Sequence, residues 1–97
     1  MDVRYELQGE AFAWDSGKAA ANLQKHGVRF EDAAAVFLDP FFVLTDASRN
    51  DEARDAAIGL DASGRLLFVV HIEFEDSHIR LISARRAVAR EESLYAE

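Results

Sequence analysis

Cysteine is absent from this 97-residue chain, and proline, methionine and tryptophan each occur once. Without cysteine there is no disulfide framework and no thiolate metal site, and this composition is typical of a reducing cytoplasm. The longest purely apolar run, Leu66 to Val70, is far shorter than the roughly 18 residues that a membrane-spanning helix needs. The charged residues 1–6 do not resemble a signal peptide. We therefore expect one cytoplasmic domain over residues 1–97, with no membrane partner.

Basic residues are also scarce. The chain has 11 Lys and Arg against 18 Asp and Glu, a formal net charge of −7. Such a chain is not a natural polyanion binder, because phosphate neutralisation supplies most nucleic-acid affinity. The basic residues are unevenly placed, however, since residues 77–97 carry four arginines and three acids. This cluster is either a solvated surface or the one basic patch of the protein; it comprises Arg80, Arg85, Arg86 and Arg90.

The sequence predicts one helix from Asp15 to His26, with recognisable signals at its start and at its end. Asp15 is a good N-cap, because its carboxylate can accept from free amides of the first turn. Lys25 and His26 place positive charge at the carbonyl end of the helix dipole. Gly27 can adopt the left-handed conformation that ends many helices. The spacing of apolar residues from Phe30 predicts a second helix to about residue 38, where Asp39-Pro40 stops it.

The remaining chain has the composition and alternation of strands. Short turns should make these strands antiparallel neighbours; they are 41–45, 54–60, 65–74 and 78–84. A last helix is expected at 87–95. Residues 1–10 alternate weakly and could form an edge strand or a loose extension, and 11–14 resemble a short strand. The fold class is therefore expected to be α+β: two N-terminal helices packed on a small antiparallel meander of about four strands, then a C-terminal helix.

No metal or cofactor motif is present. The three histidines lack ligand spacing, and there is no phosphate-binding glycine loop or nucleophile elbow. Arginines in strand patterns remain, because a guanidinium on a sheet offers planar donors that suit phosphate. The alternative for each is a salt bridge with a nearby acid. Trp14 is either core or a stacking platform, His26 either a helix-end residue or a general base, and His71 a core histidine.

Two groups of short motifs are familiar together. The first half has Phe12-Ala13-Trp14-Asp15, Lys25-His26-Gly27-Val28 and Asp39-Pro40. The second half has Gly64 to His71, with Arg54 upstream, and Ile79-Arg80-Leu81-Ile82-Ser83-Ala84-Arg85. Over roughly residues 11–95 this combination resembles the BrnT family of bacterial toxins.

The resemblance implies a function. Members of that family are the toxins of type II toxin–antitoxin pairs, with a fold similar to RelE-type ribonucleases, and they cut RNA and stop translation. The implied partner is an antitoxin with a ribbon-helix-helix DNA-binding segment, which covers the toxin in a hetero-oligomer. RNA would then be contacted by this chain directly, and DNA only through the antitoxin.

The resemblance also implies site residues. Cleavage without a metal proceeds by attack of the RNA 2′-hydroxyl on the adjacent phosphorus, so arginines could stabilise the charge that develops on phosphoryl oxygens. Of the positions carried over from the family, Arg54 and Arg80 are assigned that role, and Asp15 is the candidate general base, although it is an equally good N-cap. His26 is the fallback base on chemical grounds. Trp14 and Arg85 are carried over as substrate-binding residues, and Lys18 and Arg86 are added to them.

Two departures from the family pattern are informative. Val88 replaces a common threonine, so a capping box with Glu91 is not expected and the last helix should start elsewhere or fray. The acids Asp51, Glu52 and Asp55 surround Arg54 and would repel RNA. They favour an alternative, a weak or inactive toxin-like module that binds a protein. A third possibility is a small structural domain with an unrelated partner.

Overall fold

The computed structural model describes residues 1–48, 50, 52–73 and 77–96. This part of the chain forms six strands and three helices. In chain order they are β1 (Asp2–Leu7), β2 (Glu10–Asp15), α1 (Ser16–His26), α2 (Phe30–Ala34, continued by a 3₁₀ turn at Ala35–Leu38), β3 (Val43–Asp46), β4 (Asp55–Leu60), β5 (Leu66–Glu73), β6 (His78–Arg86) and α3 (Ala89–Ala96).

The strands form one mixed sheet in the order β1-β2-β6-β5-β4-β3. Neighbours are antiparallel except β2 and β6, which are parallel, with Ala11 beside His78 and Ala13 beside Arg80. The N-terminal hairpin thus joins the sheet next to the last strand of the chain.

The expected fold class was wrong in its architecture. The chain opens with two strands rather than two helices, and the sheet has six strands rather than about four and is not wholly antiparallel. The physical reason is the β2–β6 pairing, which joins residues more than 60 positions apart. Loop and turn patterns in a sequence predict which consecutive strands are neighbours. They do not predict a pairing between strands that are distant along the chain, such as β2 and β6.

Local predictions fared better. The predicted N-cap of α1 is confirmed, because the Asp15 carboxylate accepts from the Lys18 backbone N–H at 3.0 Å. The left-handed helix end is confirmed too: Gly27 has φ +70°, and its N–H donates to the Leu23 carbonyl at 2.8 Å. The second helix is shorter than expected, because its last turn tightens into the 3₁₀ conformation.

The helix after β6 begins cleanly despite Val88. It starts at Ala89, and a Glu91 carboxylate oxygen accepts from the Val88 N–H at 2.9 Å. Glu91 therefore supplies its half of a capping box without the threonine, and the expectation of a shifted or frayed start was wrong. The four predicted strands are present with ends moved by one or two residues, although Phe74, Glu75 and Asp76 lie outside the described residues.

The core lies on one side of the sheet, here called the helix face. Its buried side chains come from β2, β5 and β6 and from α2 with its flanking turns; they include Phe12, Trp14, Phe30, Val36, Leu67, Val69 and Leu81. The alternating residues of β5 and β6 point to the other side, here called the open face; they include Phe68, Val70, Ile72, Arg80, Ser83 and Arg85. The first turn of α3 lies on the open face, because Glu91 is bonded to Arg85.

Helix α1 is fixed to the edge of β6 by one buried side chain. Beyond Arg80, β6 has no pairing with β2. There Asn22 Oδ1 accepts from the Ala84 N–H at 3.0 Å, and Asn22 Nδ2 donates to the Ala84 carbonyl at 2.9 Å. The same Nδ2 donates to the Val28 carbonyl at 3.0 Å. The side-chain amide thus takes the hydrogen-bonding position that a neighbouring strand would have on this edge of β6. It also holds the end of α1 beside the open face. None of the described helices is long and apolar enough to cross a membrane.

Candidate nucleic-acid interface: a cationic groove on the open face

A groove of about 470 Å³ lies on the open face between the end of α1 and the start of α3. β5 and β6 form its floor with Phe68, Val70, Ser83 and Arg85. Its walls are formed by residues of α1, of α3 and of the turn after β3; these are Lys25, His26, Arg90, Glu91, Ala47 and Ser48.

The groove has a positive charge in an acidic protein. Lys25, Arg85 and Arg90 line it against one carboxylate, that of Glu91. The carboxylate is fully engaged, since its two oxygens accept from Arg85 Nη1 and Nη2, each at 2.8 Å. The cations of α1 and α3 are exposed. A polyanion can therefore approach this surface even though the net charge of the chain is −7.

Arg85 is held in one orientation. Besides its two bonds to Glu91, its guanidinium carbon lies 4.3 Å from the centre of the Phe68 ring, and Nη1 donates to the Arg86 carbonyl at 3.2 Å. These contacts employ three of the five guanidinium N–H groups. Within the described part of the chain, Nε and one hydrogen of Nη2 remain for an anion in the groove. A guanidinium fixed in this way loses little freedom when it binds phosphate.

The Arg85–Glu91 pair shifts both pKa values. The hydrogen bonds from Arg85 lower the pKa of Glu91 against the opposing effect of burial, and the Val88 N–H adds to the lowering. The hydrogen bond to Glu91 raises the pKa of Arg85. Both groups are therefore charged throughout the neutral range, and the first turn of α3 is tied to β6 by a charged pair.

Of the predicted site residues, the structure brings His26 and Arg85 together in this groove. Arg54 lies on a neighbouring cavity, where Nη2 donates to Glu52 at 3.0 Å. Arg80 reaches across β2 to β1 and forms a two-pronged pair with Asp2, whose hydrogen bonds raise the pKa of Arg80. Arg80 lies beside Ile72 on the open face, and Arg54, which precedes β4, lines a cavity together with Ile72, but each arginine is paired with its own acid.

The other predicted residues have structural positions. Trp14 is 2% exposed and stacks edge-on against Phe30 in the core, so its ring offers no surface for a base. Asp15 caps α1 and pairs with the Met1 amino group at 3.1 Å, and these bonds lower its pKa. Lys18 and Arg86 are exposed, and neither is among the described residues that line the groove.

Lys25, Ser83 and Arg90 were missed as site residues. The sequence signal of Lys25 was ambiguous, because a basic residue in a last turn already has a role toward the helix dipole. Arg90 was noted within the basic cluster and given no role. Lys25, Ser83 and Arg90 line the same groove because the Asn22 contact holds the end of α1 against β6. The sequence does not predict this contact. Among the described residues, no group of three His, Asp or Glu side chains could hold a metal ion.

The structure thus combines a six-stranded mixed sheet with a cationic groove on an acidic protein. Residues 14–91 match the family described as "Ribonuclease toxin, BrnT, of type II toxin-antitoxin system". The chain belongs to this family of ribonuclease toxins.

A solved structure agrees with the family. The chain is similar to the crystal structure of the Brucella abortus ribonuclease toxin, BrnT, with a TM-score of 0.61 and 25% sequence identity. The similarity covers 77% of this chain and 92% of the Brucella chain. A comparison with curated proteins finds no match.

Proposed function

We propose that the chain is a metal-independent endoribonuclease that cleaves RNA in the cationic groove and thereby inhibits translation. Family membership supports the reaction class. The observation that carries the proposal is the shared placement of His26, Arg85 and two exposed cations on one groove of an acidic protein. An imidazole and a fixed guanidinium on one groove can supply acid–base catalysis and charge stabilisation for transesterification of RNA.

The reaction uses the RNA as its own nucleophile. His26 takes the proton of the 2′-hydroxyl as its oxygen attacks the adjacent phosphorus. The bond to the 5′-oxygen breaks, and the imidazolium returns the proton to that oxygen. The products are a 2′,3′-cyclic phosphate and a 5′-hydroxyl end. Arg85 stabilises the charge on the phosphoryl oxygens, an interaction worth about 3 kcal/mol for a well-placed donor. Lys25 and Arg90 hold the flanking phosphates.

Cleavage by the purified chain in excess EDTA tests this proposal. Wild type should cut a single-stranded RNA and leave 2′,3′-cyclic phosphate ends. His26→Asn should lower the rate by about 100-fold or more, because general base catalysis contributes at least that much. Lys18→Gln, an exposed change on the same helix outside the groove, should cleave like wild type. Cleavage that requires added metal, or an unimpaired His26→Asn variant with native circular dichroism, would contradict the proposal.

We further propose a cytoplasmic antitoxin as partner, with a ribbon-helix-helix segment that binds DNA, so that this chain reaches DNA only within the hetero-oligomer. Membership of a type II toxin family supports an antitoxin. Expression of the chain alone should arrest growth and translation, and co-expression with a ribbon-helix-helix protein from the adjacent gene should relieve the arrest. Free growth of cells expressing the folded chain alone would count against the proposal.

A second candidate function is a catalytically weak module that retains antitoxin binding. The pairing of Arg54, Arg80 and Arg85 with carboxylates favours it, since each acid competes with phosphate. This candidate predicts a stable antitoxin complex without RNA cleavage at any protein concentration. The EDTA assay above separates the two candidates, because the proposed endoribonuclease must cleave RNA as wild type and the weak module must not.

A further inference from the structure

The sheet ends in a free strand edge at β3. This strand pairs with β4 on one side, and within the described part of the chain no strand pairs with its other side. The Ala47 N–H donates to the Arg54 carbonyl at 2.9 Å, and this pair continues the β3–β4 register. Inward and outward backbone groups alternate along an antiparallel strand, so the N–H and C=O groups of Leu44 and Asp46 point away from β4. These groups can pair with a further strand.

The same edge exposes apolar side chains. Phe41, just before β3, is 73% exposed, and Leu44 is 54% exposed. Apart from Met1, they are the most exposed large apolar side chains in the described part of the chain. Free sheet edges are usually protected by charged residues. The alternating charged residues of β1 protect the opposite edge in this way, whereas β3 carries only Asp46, at its end.

The charge beside this edge favours a cationic partner. Asp46 lies directly opposite Asp55 of β4, and both are exposed. They form a non-hydrogen-bonded pair, in which side chains are closest, and like charges in such a pair are destabilising. The Ser48 hydroxyl donates to Asp46 at 2.7 Å, but this neutral donor does not offset the repulsion. A second copy of the chain would bring the same two acids to the edge, whereas a lysine or arginine there would relieve the repulsion.

We propose that an extended, cationic segment of a partner protein adds to β3 as a further strand of the sheet. Leu44 and Asp46 lie two residues apart and so on one face, which requires an apolar side chain and a basic one at alternate positions of the segment. The antitoxin is the partner that supplies this segment, an identity that rests on the proposed function. Ala47 and Ser48 follow β3 and line the RNA groove, so the docked segment lies next to the groove.

Titration of ¹⁵N-labelled wild type with a synthetic peptide tests the edge. The peptide is Thr-Val-Thr-Lys repeated twice, which places valine and lysine in alternation on one face of an extended strand. Its binding should shift the amides of Leu44, Thr45 and Asp46. The same peptide with glutamate in place of lysine should bind about tenfold more weakly, because its charges repel Asp46.

Two variants test the contacts. Leu44→Lys removes the apolar contact and repels the lysine peptide. Leu44→Pro removes the outward N–H, at a position where an edge strand tolerates proline. Each should weaken binding of the lysine peptide by about tenfold. Leu23→Lys, the same change at a 46% exposed leucine of α1, should bind the peptide like wild type.

Four results of the titration would each overturn the assignment. They are absent binding of the lysine peptide, amide shifts away from β3, equal binding of the two peptides, and binding that neither variant at Leu44 weakens. Sedimentation tests the other occupant, and we expect wild type to be a monomer. A dimer that Leu44→Lys dissociates would show that a second copy covers the edge, and it would overturn the cationic partner.

Further measurements separate this inference from the proposed function. Peptide binding at β3 by a chain that cleaves no RNA supports the edge while the ribonuclease proposal fails. Both variants at Leu44 should cleave RNA like wild type, because Leu44 lies outside the groove. Co-expression with the antitoxin should relieve the growth arrest caused by wild type more strongly than the arrest caused by Leu44→Lys. Equal relief would overturn the antitoxin as the occupant of this edge.

Discussion

At the scale of single residues, Asn22 joins three parts of the molecule. Its side chain is 6% exposed and satisfies the N–H and C=O of Ala84 on β6 and the C=O of Val28 after α1. No apolar residue could do this, because buried backbone groups left without partners are costly. The sequence pattern marked the ends of α1 but not this role, since an asparagine within a helix has no periodic signal of its own.

Removal of the Asn22 amide should destabilise the fold. We expect Asn22→Ala to lower the free energy of unfolding by about 2–4 kcal/mol, because three buried hydrogen bonds are lost. Urea denaturation measures the change. Gln24→Ala, an exposed position of the same helix, is the matched control and should change stability by less than about 0.5 kcal/mol. A loss below 1 kcal/mol at Asn22 would contradict the account of how α1 is held.

At the scale of elements, α3 is attached to β6 by the Arg85–Glu91 pair. The sequence predicted most elements, because α1 carries an N-cap and a left-handed glycine, and β5 carries a branched apolar run. It failed for the partner of β2, and the failure is physical. The alternation of Val3, Tyr5 and Leu7 indicates a strand, but nothing local determines which distant strand accepts the hairpin.

The α3 attachment should depend on pH in a defined direction. The pKa of Glu91 is lowered in the folded protein from a reference value of 4.5. Its contribution is therefore fully present above about pH 4.5, and it is lost as the pH falls through the lower folded pKa. Glu91→Gln should destabilise the protein by about 2 kcal/mol near neutral pH. This difference from wild type should shrink below pH 4.5.

Thermal unfolding of wild type and Glu91→Gln between pH 3 and pH 8 measures this effect. Glu92→Gln is the matched control, because Glu92 is an exposed neighbour on the same helix. A gap between wild type and Glu91→Gln that widens on acidification would contradict the assigned direction.

At the scale of the whole molecule, charge is separated rather than balanced. The chain has a net charge of −7, yet Lys25, Arg85 and Arg90 converge on one groove. The sequence showed the basic cluster near the C-terminus, but it did not show that the end of α1 lies beside this cluster. Their proximity depends on the tertiary placement of a helix beside an unpaired strand edge. Repulsion elsewhere on the surface should confine RNA to the groove.

Salt dependence should report this confinement. For single-stranded RNA, each phosphate contact contributes about 0.7 to the slope of log affinity against log salt. Replacement of Lys25 and Arg90 by Gln should therefore reduce the slope by about 1.4. Fluorescence anisotropy with a short labelled RNA measures it. Lys18→Gln should leave the slope unchanged, and an equal loss in Lys18→Gln would show that binding responds only to total charge.

The central claim is that the groove between α1 and α3 receives RNA. A titration of ¹⁵N-labelled protein with a short RNA that carries a 2′-O-methyl group on every nucleotide tests it most directly, because an RNA without a free 2′-hydroxyl cannot be cleaved by this reaction. The account predicts amide shifts concentrated at His26, Ser83, Arg85 and Arg90, with little change on β1 and β3. Shifts concentrated on the β3 edge or the N-terminal hairpin, with the groove residues unmoved, would contradict it.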